Sequence, residues 1–304
     1  MKSTVNAHNL LHEARNKGAG EASLPCAGYC SPGERVNPDV PDPLHNHVLG
    51  LARSSVVQVA RRFFGRSVKS QKQFRAGVEG KVGLEIGGPS AIFQDRGALP
   101  LYRYVQGLDN CVYSLDTIWE GRRAEGLTYS YHSRKAKGFN FVREATNLHG
   151  IADHGYDFVL SSHSLEHTAN PVRALKEWIR VVKPDGSVVV LLPDYRHTFD
   201  HRRGPTSIEH MLQDYDLGRD EKDLTHLHEI LELHDLSRDP PAGSEDQFRN
   251  RCLRNFENRC LHHHVFDEHN SRRLFEAAGL SVEVLELVKP FHIAILTRCP
   301  SERA

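Results

Sequence analysis

Apolar and polar positions alternate in blocks along most of the chain. From residue 81 onward, short apolar runs fall at 82–86, 104–108, 139–142, 157–161, 187–192, 282–287 and 292–297, each short enough for a buried strand. Between several of them lie stretches with helical spacing. One covers about 170–182 and opens after "TANP", with a proline in its first turn. Another covers 267–278, with Asp267 at its start and Gly279 at its stop. Strands alternating with helices predict a doubly wound, mainly parallel α/β sheet, here of seven strands. The last two runs are separated only by "VKP", so they pair as a hairpin and one of them runs antiparallel.

The flanks read differently. Residues 1–45 include "SLPCAGYCSPGERVNPDVPDP", whose five prolines predict an irregular arm. Residues 51–68, "LARSSVVQVARRFFGRSV", place Val56, Val59, Ala60 and Phe63 on one face of a helix with arginines largely elsewhere. Such a helix suits a membrane surface or an acidic partner, or packs on the main domain with its basic side in water; the last is the expected arrangement. The chain divides into an arm (1–45), a helical segment (46–80), a core (81–193), an insert (194–264) and a completion of the core (265–304).

The 304 residues suffice for a substantial core. A formal net charge of zero argues against a broad attraction to nucleic acid, and no apolar run is long enough for a membrane span. Without an apolar leader, and with six cysteines lacking a paired framework, a cytoplasmic protein with free thiols is expected. Cys26 and Cys30 are close enough to suggest metal or redox chemistry, but no second pair follows.

Candidate chemistry gathers where strands end. "LEIGGPS" puts Glu85, Gly87 and Gly88 at the end of the first core strand, where glycine lets a ligand approach the backbone. Such turns also serve nicotinamide cofactors, and many are only tight turns. Asp109, in "YVQGLDNC", stands 22 residues after Gly87, where an acid can take both ribose hydroxyls of an adenosine cofactor; Asp116 in "YSLD" is its rival. Glu144 and Ala145 in "FVREATNLHG" follow the third strand, where a carboxylate can meet an adenine amine.

These residues, together with "DFVLSSHSLEH" and "RVVKPDGSVVVLLPD", resemble the class I S-adenosylmethionine-dependent methyltransferases, particularly those called type 11. "FDEHNSRRLFEAAGLSVEVLEL" resembles their last helix and sixth strand. The turn departs from the family pattern by having Pro89 and Ala91 where further glycines are usual. The resemblance implies S-adenosylmethionine as cofactor. Glu85, Gly87 and Gly88 would border its methionine part, Asp109 its ribose, and Glu144 and Ala145 its adenine; Ser161, Ser162 and His163 would lie beneath the sulfonium.

Ten of the twenty histidines fall between His197 and His269. By the resemblance this stretch covers the active site and selects a small-molecule substrate such as a sugar, polyol or natural product, for O- or N-methylation. His163 and His197 are the candidate bases. A divalent metal has several candidate holders: His197 and His201, which would share a helix face, with Asp194 and Asp200; His226 and His228; and His262, His263 and His264. Alternatives keep the cofactor but use its aminocarboxypropyl chain, by transfer or by cyclisation with release of methylthioadenosine, or make the protein a non-catalytic binder or a nicotinamide enzyme. A homo-oligomer is compatible with everything above.

Overall fold

The computed structural model describes residues 68–117, 121–122 and 124–301. The expected arm, and the expected helix over 51–68 apart from Val68, lie outside the described residues, as do Cys26 and Cys30.

A helix α1 (Gln71–Val78) leads into strands β1 (Val82–Ile86) and β2 (Gly107–Val112), a two-stranded hairpin β3 (Asp116–Thr117) and β4 (Gly121–Arg122), and strands β5 (Gly126–Tyr129), β6 (Gly138–Val142) and β7 (Tyr156–Ser162). Then follow α2 (Pro171–Val181), β8 (Val182–Pro193), and four insert helices: α3 (Ile208–Asp216), α4 (Leu227–Leu233), α5 (Glu245–Leu253) and α6 (Asn255–Asn258). Helix α7 (Glu268–Ala277) and strands β9 (Ser281–Val288) and β10 (His292–Arg298) close the core.

The main sheet has eight strands in the order β5-β6-β2-β1-β7-β8-β10-β9, one more than expected. The extra strand, β5, lies antiparallel on the edge beside β6. As the "VKP" link predicts, β9 and β10 form a hairpin, and β10 runs antiparallel to β8 as well. Chain order reverses at β1, which pairs in parallel with β2 on one side and β7 on the other. Such a reversal opens a crevice at the carboxyl ends of the two central strands.

Strand residues alternate between two cores, as a period of two requires. Val188, Val190 and Leu192 of β8 pack with Val172, Leu175 and Trp178 of α2, and with Leu274 and Phe275 of α7. Val189 and Leu191 point the other way, toward Phe74 and Val78 of α1. On that second face the connection from β1 to β2 carries no α-helix among the described residues, only a 3₁₀ turn at Ala91–Phe93. Buried Phe93, Leu99, Leu101 and Tyr102 cover the sheet there.

Local signals explain the helix ends. Asn170 caps α2 through its side chain, which accepts from the Arg173 N–H, with Pro171 in the first turn. Asp267 and Asn270 form a reciprocal capping box for α7. Gly279, at φ 98°, supplies the left-handed residue after that helix.

Candidate active site at the carboxyl edge

Glu85 is fully buried in β1 and is the anchor of the turn that follows. Its carboxylate accepts from Ser90 Oγ at 2.6 Å, from the Ser90 N–H at 3.2 Å, and from the hydroxyls of Tyr102 and Tyr129. Burial pushes this carboxyl up from its ordinary range, and the hydrogen bonds from Ser90, Tyr129 and Tyr102 oppose that rise. A Cβ on Gly88 would collide with the Glu85 carboxyl and the Tyr129 hydroxyl. The Gly88 N–H donates to Asn110 Oδ1 at 3.0 Å. Glu85 and Gly88 therefore knit the turn from beneath. Gly87 has φ 76°, which an L side chain adopts only under strain. Its N–H donates to the Cys111 carbonyl at 2.9 Å, tying it to β2.

Asp109 does not stand where the sequence suggested. The strand expected at 104–108 runs instead from Gly107 to Val112, so Asp109 is its third residue and pairs with Leu84 in the sheet interior. It is buried, and its carboxylate accepts from the Phe139 N–H and the Tyr156 hydroxyl, both at 2.7 Å. Those bonds tie β2 to its neighbour β6 and, across β1, to β7. Beyond the carboxyl end of β2 come Tyr113, Ser114 and, at the start of β3, the exposed Asp116.

After β6, Glu144 forms an ion pair with Arg259 of the insert. The Arg259 guanidinium also lies 5.0 Å from the centre of the Tyr113 ring. The Ala145 carbonyl accepts from Trp178 Nε1 at 3.0 Å, which fixes this loop to α2. Nearby Glu221 is buried, and burial together with the charge of Glu144 pushes its carboxyl up to about 7, against the pull of Arg259.

Ser161 and Ser162 end β7, and Ser161 pairs with Ile86 at the end of β1, beside the reversal of strand order. The Ser161 hydroxyl is fully buried and has no hydrogen-bond partner among the described residues. His163 follows in a left-handed conformation, φ 53°. Its Nδ1 faces Glu166 Oε1 at 3.3 Å and its Nε2 faces His292 Nδ1 at 2.8 Å. Burial acts to raise the Glu166 carboxyl, but His163, His167 and His262 outweigh it and hold the group below its ordinary range. Burial, with His163 adding to it, pulls His292 down to about 3, so that ring is neutral near pH 7.

The insert lies over these strand ends. The His263 N–H donates to the Glu166 carbonyl at 2.8 Å, and His167 Nδ1 meets the Leu261 carbonyl at 3.1 Å. The insert also has a small core of its own, including Ile230, Phe248, Cys252 and Leu261. Two of its histidines, His262 and His201, each pair with a single aspartate. His262 Nδ1 lies 2.6 Å from Asp200, which buried Arg203 also grips at 3.0 Å. His201 meets Asp235 at 2.8 Å.

The helix expected to carry both His197 and His201 is instead a 3₁₀ turn ending at His197. The His197 side chain is 61% exposed and comes no closer than 4.0 Å to Asp194, while His163 takes Glu166 and His292 as its neighbours. His228, at 92% exposed, faces only Glu232 at 3.6 Å. Glu166, His167 and His262 bring three metal-ligand atoms within 4.8 Å of one another.

Glu166, His292 and Arg259 were missed by sequence reasoning. Glu166 sits in "HSLEH" three residues after the histidine that drew attention. His292 carries no local signal, because it reaches the site only through the reversed direction of β10.

Residues 61–285 match the model of a family described as a methyltransferase domain. The chain belongs to that family. This bears out the sequence resemblance, the transferase activity and S-adenosylmethionine as cofactor. No curated protein matches the chain. Similar solved structures include a SAM-dependent methyltransferase from Mesorhizobium loti, at 12% identity and TM-score 0.44, covering 75% of this chain and 95% of its own. Another, from Aquifex aeolicus, has 12% identity and TM-score 0.41, with coverages of 84% and 98%. A third, from Thermotoga maritima, has 17% identity and TM-score 0.39, with coverages of 84% and 98%. No described helix of this methyltransferase is long and apolar enough to cross a membrane.

Proposed function

We propose that this methyltransferase acts on an oxygen or nitrogen of a small molecule, enclosed between the carboxyl edge of the sheet and the histidine-rich insert. One observation carries the reading. At the reversal of strand order, Gly87 at φ 76° stands beside the paired ends Ile86 and Ser161, and the buried Ser161 hydroxyl has no hydrogen-bond partner among the described residues. That combination fits the methionine end of the cofactor, with Ser161 and Ser162 beneath the sulfonium. The insert residues that cross to the strand ends, Arg259 to Glu144 and His263 to Glu166, favour a small acceptor over a polymer. Glu144 and Ala145 are assigned to adenine. The ribose is assigned to Asp116, because Asp109 is committed to Phe139 and Tyr156 within the sheet.

S-Adenosylmethionine supplies a methyl group already activated by a sulfonium charge. The residues must then orient the acceptor, exclude water and take up its proton. His292 and His163 suit the last task as a pair. With His292 Nδ1–H donating to His163 Nε2, a proton accepted at His292 Nε2 passes its counterpart on to His163. The resulting imidazolium has its Nδ1–H facing the buried Glu166 carboxylate. His197, exposed and apart from this trio, is assigned no proton.

The test is incubation of the protein and S-adenosylmethionine with fractionated metabolites, followed by chromatography of the nucleoside product. S-Adenosylhomocysteine that appears only with a small-molecule fraction supports the proposal. Methylthioadenosine points to chemistry on the aminocarboxypropyl chain instead. Turnover only with protein or nucleic acid fractions overturns the acceptor class.

A further inference from the structure

A second group of ligand-type side chains lies in the insert and plays no part in the scheme above. Helix α3 carries His210 and Asp214 one turn apart, and His226 stands at the cap of α4 after the connecting loop. His210 Nε2 lies 3.1 Å from His226 Nε2 and 3.3 Å from Asp214 Oδ2, and the three ligand atoms lie within 4.8 Å of one another. In a tetrahedral zinc site with bonds of about 2.0–2.1 Å, ligand atoms are about 3.3 Å apart.

The Asp214 side chain is only 4% exposed, and its Oδ2 has no hydrogen-bond partner among the described residues. His264 Nε2 stands 3.7 Å from that oxygen and is engaged with the Ala169 carbonyl at 3.2 Å. On the other side of the carboxylate, Arg219 Nε stands 3.8 Å from Oδ1, but its guanidinium is paired with Asp223 at 3.0 Å. Behind His226, Nδ1 faces Glu229 at 3.8 Å, a carboxylate suited to orienting the ring with Nε2 forward.

We propose that His210, Asp214 and His226 bind a divalent transition metal of the zinc class, which clamps α3 to the start of α4. Two imidazoles and one carboxylate favour such an ion over magnesium or calcium. His210 is 38% exposed, which gives the ion an entry path and leaves a fourth position for water. The site is independent of the methyl-transfer reading.

The experiment uses untagged full-length protein, stripped with a chelating resin and titrated with Co²⁺. One equivalent should produce the visible absorption of tetrahedral cobalt, and Zn²⁺ should abolish it by competition. His210→Ala and Asp214→Asn should each weaken binding at least about tenfold. His228→Ala, which alters a ring that is 92% exposed, should leave binding unchanged. Zn²⁺ should also raise the melting temperature of the wild type but not of His210→Ala. If Asp214→Asn does not fold, the exposed His210 variant carries the comparison. Absence of a tetrahedral cobalt spectrum overturns the proposal, and so does a spectrum that survives His210→Ala.

Discussion

His163 Nε2 lies 2.8 Å from His292 Nδ1, so the turn after β7 is joined to the first residue of β10 across 129 positions of sequence. The contact exists because β10 runs antiparallel to β8, which brings its first residue alongside Pro193 at the carboxyl edge. If this pair takes up the acceptor proton, His163→Ala and His292→Ala should each lower kcat about 10²–10⁴-fold. The KM for S-adenosylmethionine should change little. Steady-state kinetics on the acceptor fraction separate the two effects, and His197→Ala should remain near wild type.

Asp109 is a structural residue in this account. Asp109→Asn disturbs the acceptor for two buried donors, the Phe139 N–H and the Tyr156 hydroxyl, and should cost about 1–3 kcal/mol of stability. Urea denaturation should show that loss. Cofactor affinity measured well below the unfolding transition should be unchanged.

Glu221 sets a pH dependence of one sign. Its folded value of about 7 stands above the ordinary 4.5, so the folded state holds a proton that the unfolded chain releases. Its contribution is fully present below about 4.5 and is lost as pH rises through about 7. Glu221→Gln should therefore stabilise the protein at pH 8 by up to about 3 kcal/mol relative to wild type, with little gain at pH 4. Melting curves across that range provide the comparison.

His167 and His292 give the opposite sign. Burial lowers His167 to about 4 and His292 to about 3, against an ordinary 6.5, so the unfolded chain takes up protons first. The stability they contribute is present above pH 6.5 and is lost as pH falls toward 4, by up to about 3 kcal/mol for each ring. His292→Gln should flatten the acid limb of the stability profile measured by urea denaturation. An unchanged slope would contradict the assignment of a neutral buried ring.

The parts legible in the sequence were those whose signals are local. β7, β8 and β10 are apolar runs buried on both faces, and α2 and α7 have capping residues at their starts. β2 was displaced because Asp109 and Asn110 look like strand-ending polar residues. In the fold, cross-strand partners satisfy them, including Asn140 at 2.8 Å from Asn110. β5 has four residues, two of them exposed, too few to show alternation. The site was legible as the glycine turn and the serines of β7. The partners that define it were not, since Glu85 meets Tyr129 and His163 meets His292 only through strand order. The histidine cluster misled for the same reason: spacing suggested that His197 and His201 share a helix face, whereas His201, His262 and His264 bond to groups distant in the chain.

The central claim is that S-adenosylmethionine lies across the carboxyl ends of β1, β2, β6 and β7. Calorimetric titration of the cofactor into the wild type and into Asp116→Ala tests it most directly. The account predicts saturable one-site binding in the wild type, and affinity about 10–100-fold weaker in the variant through loss of hydrogen bonds to the ribose. Saturable binding that Asp116→Ala leaves untouched would contradict the ribose assignment. No binding at millimolar cofactor would contradict the central claim itself.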